Sequence, residues 1–556
     1  MIGVVARCEE RDIVREFFEL FKTPWEFCRD DVRYEVLIHA DDVFDERSAE
    51  VVIVYGSQAT VFDHNRMGCP GTQRHNTTLS WKGERIPVYG DCVTVPSGNR
   101  SPHLVLEDTG EPILSVTRGG GRTLVRVGYD LFWEIEFLLT TGQPAIHAGI
   151  PTLERHIALL RDLIVSAGVP LVEIPPIPES FRFTACLTHD VDHPSIRLHK
   201  CDRTLFGFLY RAVARSLVDV CRGKKQPATL WRNWAAVLRL PFVHLGLVKD
   251  FWSQFDRYLE IEKGLGSTFF VIPIKKYPGR RGEGQAPPIR ASSYGVSDIA
   301  EHLRFLHSKG CEIGLHGIDA WLDSAKGLEE RERVSRITGA SVRGVRMHWL
   351  YFDERAPERL DEAGFTYDST CGYNETIGFR AGTMQAFRPM SAGRLLELPL
   401  TIMDTALFYP SHLNLTPDAA REAVWRLVDD VEQYGGALTI NWHDRSLAPE
   451  RLWGAFYVEL IDELKRRAGW FPTASQAAAW FQQRRSVVFD SVRWEGASVR
   501  IRASIDRRPD LPGLTVRVHA PGFPDDDQPL QWARPGTFKE VTFEEALDAH
   551  VTLGAS

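Results

Sequence analysis

The sequence predicts an α/β protein with a barrel of β/α units at its centre, an α/β domain before the barrel and a small antiparallel β region after it. Between residues 181 and 484, short apolar runs alternate with amphipathic helical patterns. A proline-rich stretch, "VEIPPIPES" at 172–180, precedes this alternation and disfavours both helix and central strand. After about residue 485 the helical period disappears, and apolar and polar residues alternate one by one as in antiparallel strands.

The apolar runs of the central part are predicted to be strands of a parallel sheet, because strands that alternate with helices pair in parallel. The runs lie at 183–188, 267–272, 311–315, 342–347, 365–367, 395–402 and 436–442. Several of the helical patterns between them end in Gly, which often follows the last residue of a helix. About seven such units predict a closed or nearly closed barrel. Barrels of this kind carry their chemistry where the carboxyl ends of the strands open into loops.

The flanking regions are predicted to fold as separate domains, which gives boundaries at 1–175, 176–484 and 485–556. In the first region "VVIVYG" at 51–56 is typical of a buried strand, and "GYDLFWEIEFLLTTG" at 128–142 of an amphipathic helix. The glycines of "RGGGR" at 118–122 favour a turn, because the G-K-[ST] of a phosphate-binding loop does not follow them.

Composition excludes several classes of protein. The chain has 556 residues, of which 44% are hydrophobic and 25% charged, and this length favours three domains over a single core. The net charge of -8 gives no support for nucleic-acid binding. The first residues, "MIGVVARCEE", meet charge too early for a signal peptide, and nine cysteines without a C-x-x-C pair suggest free thiols. We therefore expect a cytoplasmic protein.

Reactive side chains stand at four of the predicted strand ends. They are Asp190 and Asp192 in "FTACLTHDVDHP", His316 after "CEIGL", Arg346 and His348 in "VRGVRMHW", and His443 and Asp444 in "LTINWHD". Carboxylates crowded at the end of a buried strand repel each other and lose hydration, and a bound cation would offset both effects. His189 and His193 flank the two carboxylates, and strand alternation turns His189 to the opposite face. The shared position of these residues predicts a site at one end of the barrel.

The order and spacing of these motifs resemble the NodB-type polysaccharide deacetylases, the fourth carbohydrate esterase family, over about 300 residues. "THDVD" is similar to the first motif of the family, "EIGLHGIDA" to the second, "GVRMHW" to its arginine motif and "TINWHD" to its last. The resemblance implies a distorted (β/α)7 barrel in which Asp190 is the general base and Asp192 binds a metal. "GYNETIGFRAGT" at 372–383 is similar to a bacterial branch that carries an extra N-terminal domain and is associated with surface-polysaccharide loci.

The sequence departs from this family at the second histidine of the H-x-x-x-H motif, whose place is taken by Ala320. Two histidines four residues apart share one face of a helix, so this loss leaves Asp192 and His316 one ligand short. We predict His348 as the third ligand, because it stands two residues after the motif arginine and so shares its strand face. Asp319 is the alternative. Ligation by His and Asp favours Zn²⁺ as the divalent metal.

Elementary chemistry gives the remaining residues their predicted roles. A divalent metal polarises an amide or ester carbonyl and acidifies water, and Asp190 beside it removes a proton from that water. His443, across the barrel mouth, protonates the departing sugar amine or alkoxide. Arg346 keeps Asp190 ionised, and either Asp404 or Asp444 raises the pKa of His443.

The connection between the first two barrel strands contains a basic insertion at 195–250, with eleven Lys and Arg against three Asp and with aromatic residues between them. Basic amphipathic helices with Trp and Phe suit an anionic membrane surface. The alternative is a pair of helices that pack on the barrel and expose a solvated basic rim. Contact with an anionic membrane would place this cytoplasmic protein at the inner face of the membrane.

The sequence thus predicts a metal-dependent hydrolase that removes acetyl groups from N- or O-acetylated sugars of a surface polysaccharide or of its lipid-linked precursor. Two other functions stay open at this point. A barrel that has lost catalysis could serve as a glycan-binding or scaffold protein, although retention of the base, the arginine and the acid argues against decay. A C–N hydrolase acting on a small cyclic amide could use the same barrel.

Overall fold

The structure is a computed structural model. It describes residues 1–40, 49–58, 71–95, 104–222, 227–282, 284–451, 453–495, 498–521, 538–543 and 546–552. Strands and helices are numbered below in chain order over these residues.

The N-terminal region contains a mostly parallel sheet with helices packed against it. Its strands are β1 (Ile2–Val5), β2 (Trp25–Phe27), β3 (Val36–His39), β4 (Val51–Tyr55), β5 (Gln73–Trp81), β6 (Glu84–Val93), β7 (Leu104–Leu106), β8 (Leu114–Gly119) and β9 (Arg122–Val127), and its helices are α1 (Arg11–Phe21), α2 (Leu131–Thr140) and α3 (Thr152–Ser166). The main sheet has the order β2-β1-β3-β4-β9-β8, and only the β8–β9 pair is antiparallel. A second, antiparallel sheet has the order β6-β5-β7. The predicted strand at 51–56, helix at 128–142 and turn at 118–122 correspond to β4, α2 and the β8–β9 turn.

The central region forms one curved parallel sheet. Its strands and their neighbours in the chain are β10 (Leu171–Glu173), β11 (Phe183–Val191), β12 (Thr268–Val271), β13 (Arg280–Arg281), β14 (Gly284–Gln285), β15 (Glu312–Gly317), β16 (Gly344–Met347), β17 (Tyr367–Asp368), β18 (Leu396–Glu397), β19 (Leu400–Met403) and β20 (Ala437–Asn441). The strand order is β18-β17-β16-β15-β12-β11-β20-β19, and these pairs are all parallel. β13 and β14 form a separate hairpin. The predicted fold class, an α/β barrel, is confirmed.

The two ends of this sheet, β18 and β19, are consecutive in the chain and are separated only by Leu398 and Pro399. β18 pairs with β17 on one side, and β19 pairs with β20 on the other. One bent segment therefore closes a ring of seven units. The sequence predicted a single strand at 395–402, but Pro399 has no N–H for a ladder hydrogen bond, and the strand is interrupted there.

Helices cover the outside of the ring and form the insertion. They are α4 (Arg203–Tyr210), α5 (Ser216–Cys221), α6 (Pro227–His244), α7 (Phe255–Ile261), α8 (Ala300–Ser308), α9 (Ser324–Thr338), α10 (Ala356–Glu362), α11 (Asp404–Phe408), α12 (Pro417–Tyr434), α13 (Gly454–Arg466) and α14 (Ala474–Arg485). Their ends follow the sequence signals. The Thr416 side chain accepts a hydrogen bond from the amide of Ala419 and caps α12, and Gly339 after α9 adopts φ 78°, which favours glycine.

The insertion is helical, as predicted. α4 continues through a π-helical turn, Arg211–Arg215, into α5, and α6 packs against these segments. Phe208, Ala212 and Val243 are fully buried around Trp252 and form a small separate core. Among the described residues, no helix has both the length and the apolar character needed to cross a membrane.

The C-terminal region is antiparallel, and its strands after the short β21 (Gly469–Trp470) are β22 (Val488–Glu495), β23 (Ser498–Ser504), β24 (Leu514–His519), β25 (Phe538–Phe543) and β26 (Ala546–Thr552). β22, β23 and β26 form one sheet, whereas β24 and β25 form another with β10. Because β10 precedes the barrel, the last region is tied to the end of the first. The domain boundaries at 175 and 484 stay a prediction.

The segment "GYNETIGFRAGT" at 372–383 contacts the N-terminal region. The Tyr373 hydroxyl donates to the carbonyl oxygen of Gln143 at 2.7 Å, and the Phe379 amide donates to that of Ala148 at 2.8 Å. Gly378 has φ 138°, and a Cβ atom there would lie 2.1 Å from the Ala148 carbonyl oxygen. This segment, which lies between β17 and β18, joins the barrel to the region before it, and its glycine is required by the close backbone approach.

Candidate active site

The carboxyl ends of the barrel strands bring the predicted residues to one face. Asp190 lies on β11, His316 on β15 and Arg346 on β16. Asp192 and His348 lie directly after β11 and β16, and His443 lies two residues after the end of β20. Asp190, His316, Arg346 and His348 are buried. The side chains of Asp192 and His443 are 23% and 17% exposed. The site is therefore a buried cluster with two side chains at its opening.

Asp192, His316 and His348 lie close enough together to share one cation. Nε2 of His316 is 3.0 Å from Nδ1 of His348, and Oδ1 of Asp192 is 3.5 Å from each of these nitrogens. Ligand atoms about 2.0–2.1 Å from one Zn²⁺ in tetrahedral geometry lie about 3.4 Å apart. The observed separations match those of three ligands on a single ion.

The outer nitrogens of the two histidines fix which ring nitrogens carry protons. Nδ1 of His316 lies 3.0 Å from the carbonyl oxygen of Arg346, and Nε2 of His348 lies 3.1 Å from that of Arg290. A carbonyl can only accept, so both outer nitrogens carry protons and donate them. In the neutral rings the inner nitrogens then have free lone pairs, and these point at each other.

This arrangement fits a divalent cation. Burial lowers the pKa of His348 to about 3, so its ring is neutral at physiological pH. Oδ1 of Asp192 has no hydrogen-bond partner among the described residues, although it is buried. Two facing lone pairs beside an unpartnered carboxylate oxygen repel one another, and a cation between them removes the repulsion. Two imidazole nitrogens and one carboxylate are a donor set that suits Zn²⁺.

The Asp190 carboxylate is held by two partners. Nη1 of Arg346 donates to Oδ1 at 3.0 Å, and Nδ2 of Asn441 donates to Oδ2 at 2.7 Å. Burial by itself raises the pKa of Asp190, but charged neighbours, of which Arg346 has the largest effect, bring the pKa below its ordinary value. Oδ2 also lies 4.0 Å from Nε2 of His316. An ionised carboxylate thus stands next to the cluster of potential ligands without belonging to it.

Arg346 is itself fixed on every side. It donates to the Thr188 hydroxyl at 2.8 Å, to the Ser369 carbonyl at 3.0 Å and to the Ser369 hydroxyl at 2.9 Å. Its guanidinium also lies 4.6 Å from the centre of the Phe270 ring. The arginine is fully buried, and these contacts fix its charged guanidinium group beside Asp190.

His443 lies opposite, with Asp404 behind it. Nδ1 of His443 is 2.6 Å from Oδ1 of Asp404, and the His443 amide donates to Oδ2 at 2.8 Å. The Ser446 hydroxyl also donates to Oδ2. Burial by itself lowers the pKa of His443, but the adjacent Asp404 carboxylate and, at greater distance, Asp192 raise it to about 9. His443 is therefore protonated at neutral pH, and its Nε2 lies 3.9 Å from Oδ2 of Asp192.

The other predicted residues lie beside the site. Of the two carboxylates considered as partners for His443, Asp404 makes the direct contact, whereas Oδ2 of Asp444 accepts from the His193 amide at 3.0 Å. His189 faces away, as predicted, and its Nδ1 lies 2.7 Å from the carbonyl oxygen of Trp442. Nδ1 of His193 lies 3.3 Å from Nε2 of His199.

Asp319, the alternative third ligand, is engaged elsewhere. Its Oδ2 accepts from the Tyr277 hydroxyl at 2.5 Å, and its Oδ1 accepts from the Arg280 amide at 2.8 Å. Ala320 is fully buried in the barrel core. The helical spacing considered for His316 and position 320 does not occur, because β15 ends at Gly317 and α9 begins at Ser324.

Sequence reasoning missed two residues that position the site. Asn441 holds Asp190 from both sides, since its Oδ1 also accepts from the Asp190 amide at 3.1 Å. The Arg290 guanidinium donates to the His348 carbonyl at 2.9 Å, and the Arg290 backbone carbonyl accepts from the ring of the same histidine. Asn441 could have been found from the sequence, because it stands two residues before His443 at the end of β20. No comparable pattern surrounds Arg290.

The chain directly after His348 has an unusual backbone. Trp349 and Leu350 have φ values of 63° and 52°, in the left-handed region that bulky residues rarely adopt. The Trp349 side chain is 40% exposed, and its ring centre is 5.9 Å from that of His348. Strained conformations of this kind concentrate at functional sites. A partly exposed aromatic ring thus lies beside His348, next to the proposed ligands.

Comparisons with other proteins show similarity at the level of structure. The chain matches no known sequence family and no curated protein. A provisionally assigned polysaccharide deacetylase from Mycobacterium smegmatis is 20% identical, with a TM-score of 0.35, and the match covers 56% of this chain and 95% of that one. The allantoinase PuuE is 16% identical, with a TM-score of 0.32 and coverage of 55% and 92%. A CE4 family pseudoenzyme from Bacillus anthracis is 15% identical, with a TM-score of 0.25 and coverage of 42% and 62%. Known structures similar to this chain thus include polysaccharide deacetylases, the class that its motifs resemble.

Proposed function

We propose that the protein is a metal-dependent hydrolase that removes acetyl groups from N- or O-acetylated sugars. One observation carries this proposal. The inward lone pairs of His316 and His348 converge with Asp192, beside the ionised Asp190 and opposite the protonated His443. Ligands, base and acid thus stand in one cluster at the barrel mouth. Asp192, His316 and His348 would hold the metal.

The residues of the chain divide the reaction between them. A metal held by these ligands would act as a Lewis acid for the acetyl carbonyl and would acidify a water molecule. Asp190 accepts the proton of the attacking water as the new C–O bond forms, and Arg346 keeps that carboxylate oriented. His443 donates its Nε2 proton to the departing nitrogen or oxygen as the C–N or C–O bond breaks. The products are the free sugar amine or hydroxyl and acetate.

Metal content and acetate release, measured on the same variants, test the assignment. Asp192→Ala and His316→Ala should abolish both, because each removes a proposed ligand. Asp190→Asn should bind metal normally and lose activity by about 10²–10⁴-fold, the range for loss of a general base. The assay uses a panel of N- and O-acetylated glycans, and metal is quantified on the purified protein by elemental analysis.

The third ligand has its own matched pair of variants. His348→Ala should lose metal, whereas Asp319→Ala should keep it, because the Asp319 carboxylate is occupied by Tyr277 and Arg280. The reverse result would replace His348 by Asp319 in the proposed site. A wild-type protein that binds no metal after reconstitution would favour the scaffold function, and ring opening of a cyclic amide without acetate release would favour the C–N hydrolase.

We further propose that the substrate belongs to a surface polysaccharide or its lipid-linked precursor, and that the insertion contacts an anionic membrane. Exposed apolar residues follow one helical face in each part of the insertion: Phe206, Tyr210, Val213 and Leu217 in the first, and Trp231, Leu238, Phe242 and Leu245 in the second. The spacings of seven, four and three residues in the second set are those of a continuous stripe on an α-helix. Exposed arginines, Arg203, Arg222, Arg232 and Arg239, lie near these stripes. An apolar stripe flanked by cations is typical of helices that lie in the interface of anionic membranes.

Vesicle co-sedimentation tests the membrane contact. Leu238→Glu together with Phe242→Glu should abolish binding to vesicles that contain anionic lipid, and Ile146→Glu is the control. Ile146 is 85% exposed on the N-terminal region, so the control places one glutamate, against two in the test variant, at an exposed apolar position outside the insertion. Equal binding of the double variant and the Ile146→Glu control, or no binding by the wild type, would contradict the membrane contact.

A further inference from the structure

A second charged cluster lies between the loop after β20 and the insertion. Arg445 stands two residues after His443, is 7% exposed and has its guanidinium 4.6 Å from the centre of the Trp252 ring. Arg451, 8% exposed, lies six residues further along the same loop. Its guanidinium is 4.8 Å from the Tyr409 ring centre. Aromatic rings thus hold both arginines by their faces, which leaves their edges to donate hydrogen bonds.

Several of these donors have no acceptor. Four guanidinium nitrogens are buried and find no hydrogen-bond partner in the part of the chain that the structure describes. They are Nη1 of Arg445, Nε and Nη1 of Arg451, and Nε of Arg211 on the π-helical turn of the insertion. The Glu450 carboxylate, 5% exposed, is likewise without a hydrogen bond there. Buried guanidinium groups normally have partners, because leaving a charged donor unsatisfied is costly. Three cations therefore stand near one carboxylate, with donors left over for an anion.

The electrostatic effect of the cluster is visible at Tyr409. The charge of Arg451, aided by Arg445 and Arg211, lowers the pKa of Tyr409 below its ordinary value, although burial opposes this change. Burial and the charge of Arg451 in turn lower the pKa of Arg445 to about 10. The Tyr409 shift indicates a positive potential at this cluster, in a chain whose net charge is -8. Tyr409 and Arg211 are only partly buried, so the cluster reaches the surface.

We infer that Arg211, Arg445 and Arg451 form a subsite for a phosphate group on the substrate. Guanidinium groups bind phosphate through paired N–H donors, and three of them balance the charge of a phosphate ester better than that of a single carboxylate. The inference deepens the proposed function and rests on it for the nature of the sugar: the substrate is an acetylated sugar that carries a phosphate. The phosphate can belong to a soluble sugar phosphate or to a lipid-linked sugar.

Direct binding of inorganic phosphate tests the subsite without any need for activity. Calorimetric titration of the full-length protein should show binding that Arg445→Gln together with Arg451→Gln weakens about tenfold or more. Arg426→Gln, an exposed arginine on α12, is the control and should leave binding unchanged. Titrations are repeated after removal of metal with a chelator. Binding that survives in the double variant, or that disappears with the metal alone, would overturn the inference. Arg211→Gln, at a partly exposed position, replaces the double variant if that protein does not fold.

Turnover identifies the source of the phosphate. An N-acetylhexosamine 1-phosphate and a lipid-linked counterpart in vesicles are compared with the free N-acetylhexosamine. The arginine variants should raise KM for the two phosphorylated substrates and leave KM for the free sugar unchanged. Wild-type KM values that are equal for the three substrates would overturn the inference. A preference for the vesicle substrate would identify the lipid-linked source. Arginine-dependent phosphate binding without acetate release from any substrate would refute the proposed function and support the subsite.

Discussion

Asp404→Asn is the sharpest perturbation of the acid side of the site, because it removes one charge and keeps nearly the same shape. The Asp404 carboxylate is 2.6 Å from Nδ1 of His443 and is the main group that raises the pKa of this histidine to about 9. Compared with the ordinary value of about 6.5, this favours the protonated ring by roughly 300-fold. Burial lowers the pKa of His443, and in the variant only the weaker effects of Asp192 and Asp190 oppose burial.

The expected result is a change in the alkaline limb of the pH–rate profile. A raised pKa keeps the acid protonated below that pKa, so activity is lost as the pH rises through it. In Asp404→Asn the limb should move to lower pH by about two pH units or more. A bound cation would lower the pKa of His443 in both proteins, so the comparison between them remains valid. The assay is kcat/KM for acetate release from pH 5 to 10.

Two further variants control this experiment. His443→Gln should remove the alkaline limb together with most of the activity, while its metal content stays equal to that of the wild type. An alkaline limb at the same pH in wild type and Asp404→Asn would refute the pairing of these residues as the source of the acid. Loss of metal in Asp404→Asn would show that the carboxylate acts on the ligands instead.

The remaining predictions concern the barrel itself. Gly344→Ala should destabilise the protein by about 1–3 kcal/mol or more, because a Cβ atom there would lie 1.8 Å from Cζ of the buried Tyr367 ring. Gly149→Ala is the control: no atom lies within 4 Å of the new methyl group, so the midpoint of thermal unfolding should stay unchanged. Equal midpoints for the two variants would contradict the packing at β16. Burial and the neighbouring Asp368 raise the pKa of Glu397 well above its ordinary value, so the folded protein holds this proton to higher pH than the unfolded chain does. The contribution of Glu397 to stability therefore falls as the pH rises above about 4.3, and Glu397→Gln should flatten that fall in denaturant titrations; an unchanged slope would contradict the raised pKa.

Short-range patterns in the sequence predicted the barrel and the positions of its reactive ends. Strand and helix periods depend on neighbouring residues, so the alternation over 181–484 is readable without the structure. The same holds for Asp192, His316 and His348: each follows an apolar run, and parallel strands bring their carboxyl ends to one edge. His348 could be preferred over Asp319 because strand alternation links it to Arg346.

The partners of these residues could not be predicted in the same way. Asn441 meets Asp190 only because β20 pairs with β11 in a register that aligns Asn441 with Thr188, and pairing across the chain leaves no local signal. Arg290 lies in a short 3₁₀ turn within the long connection between β12 and β15, where no period exists to place it. Local sequence thus indicates which residues are reactive, whereas long-range pairing determines which residues hold them.

The pairing of β11 with β20 also has a consequence for the order in which the site can assemble. The first and last strands of the ring are about 250 residues apart, and Asp190 reaches its partner Asn441 across a separation of 251 residues. During synthesis, a ribosome has made the first strand long before the last one exists. The base therefore stays without one of its two partners until the ring closes, and we expect hydrolytic competence to arise only with the final docking step of folding. An incomplete chain that lacks β20 would carry the potential metal ligands, yet only Arg346 would hold its base.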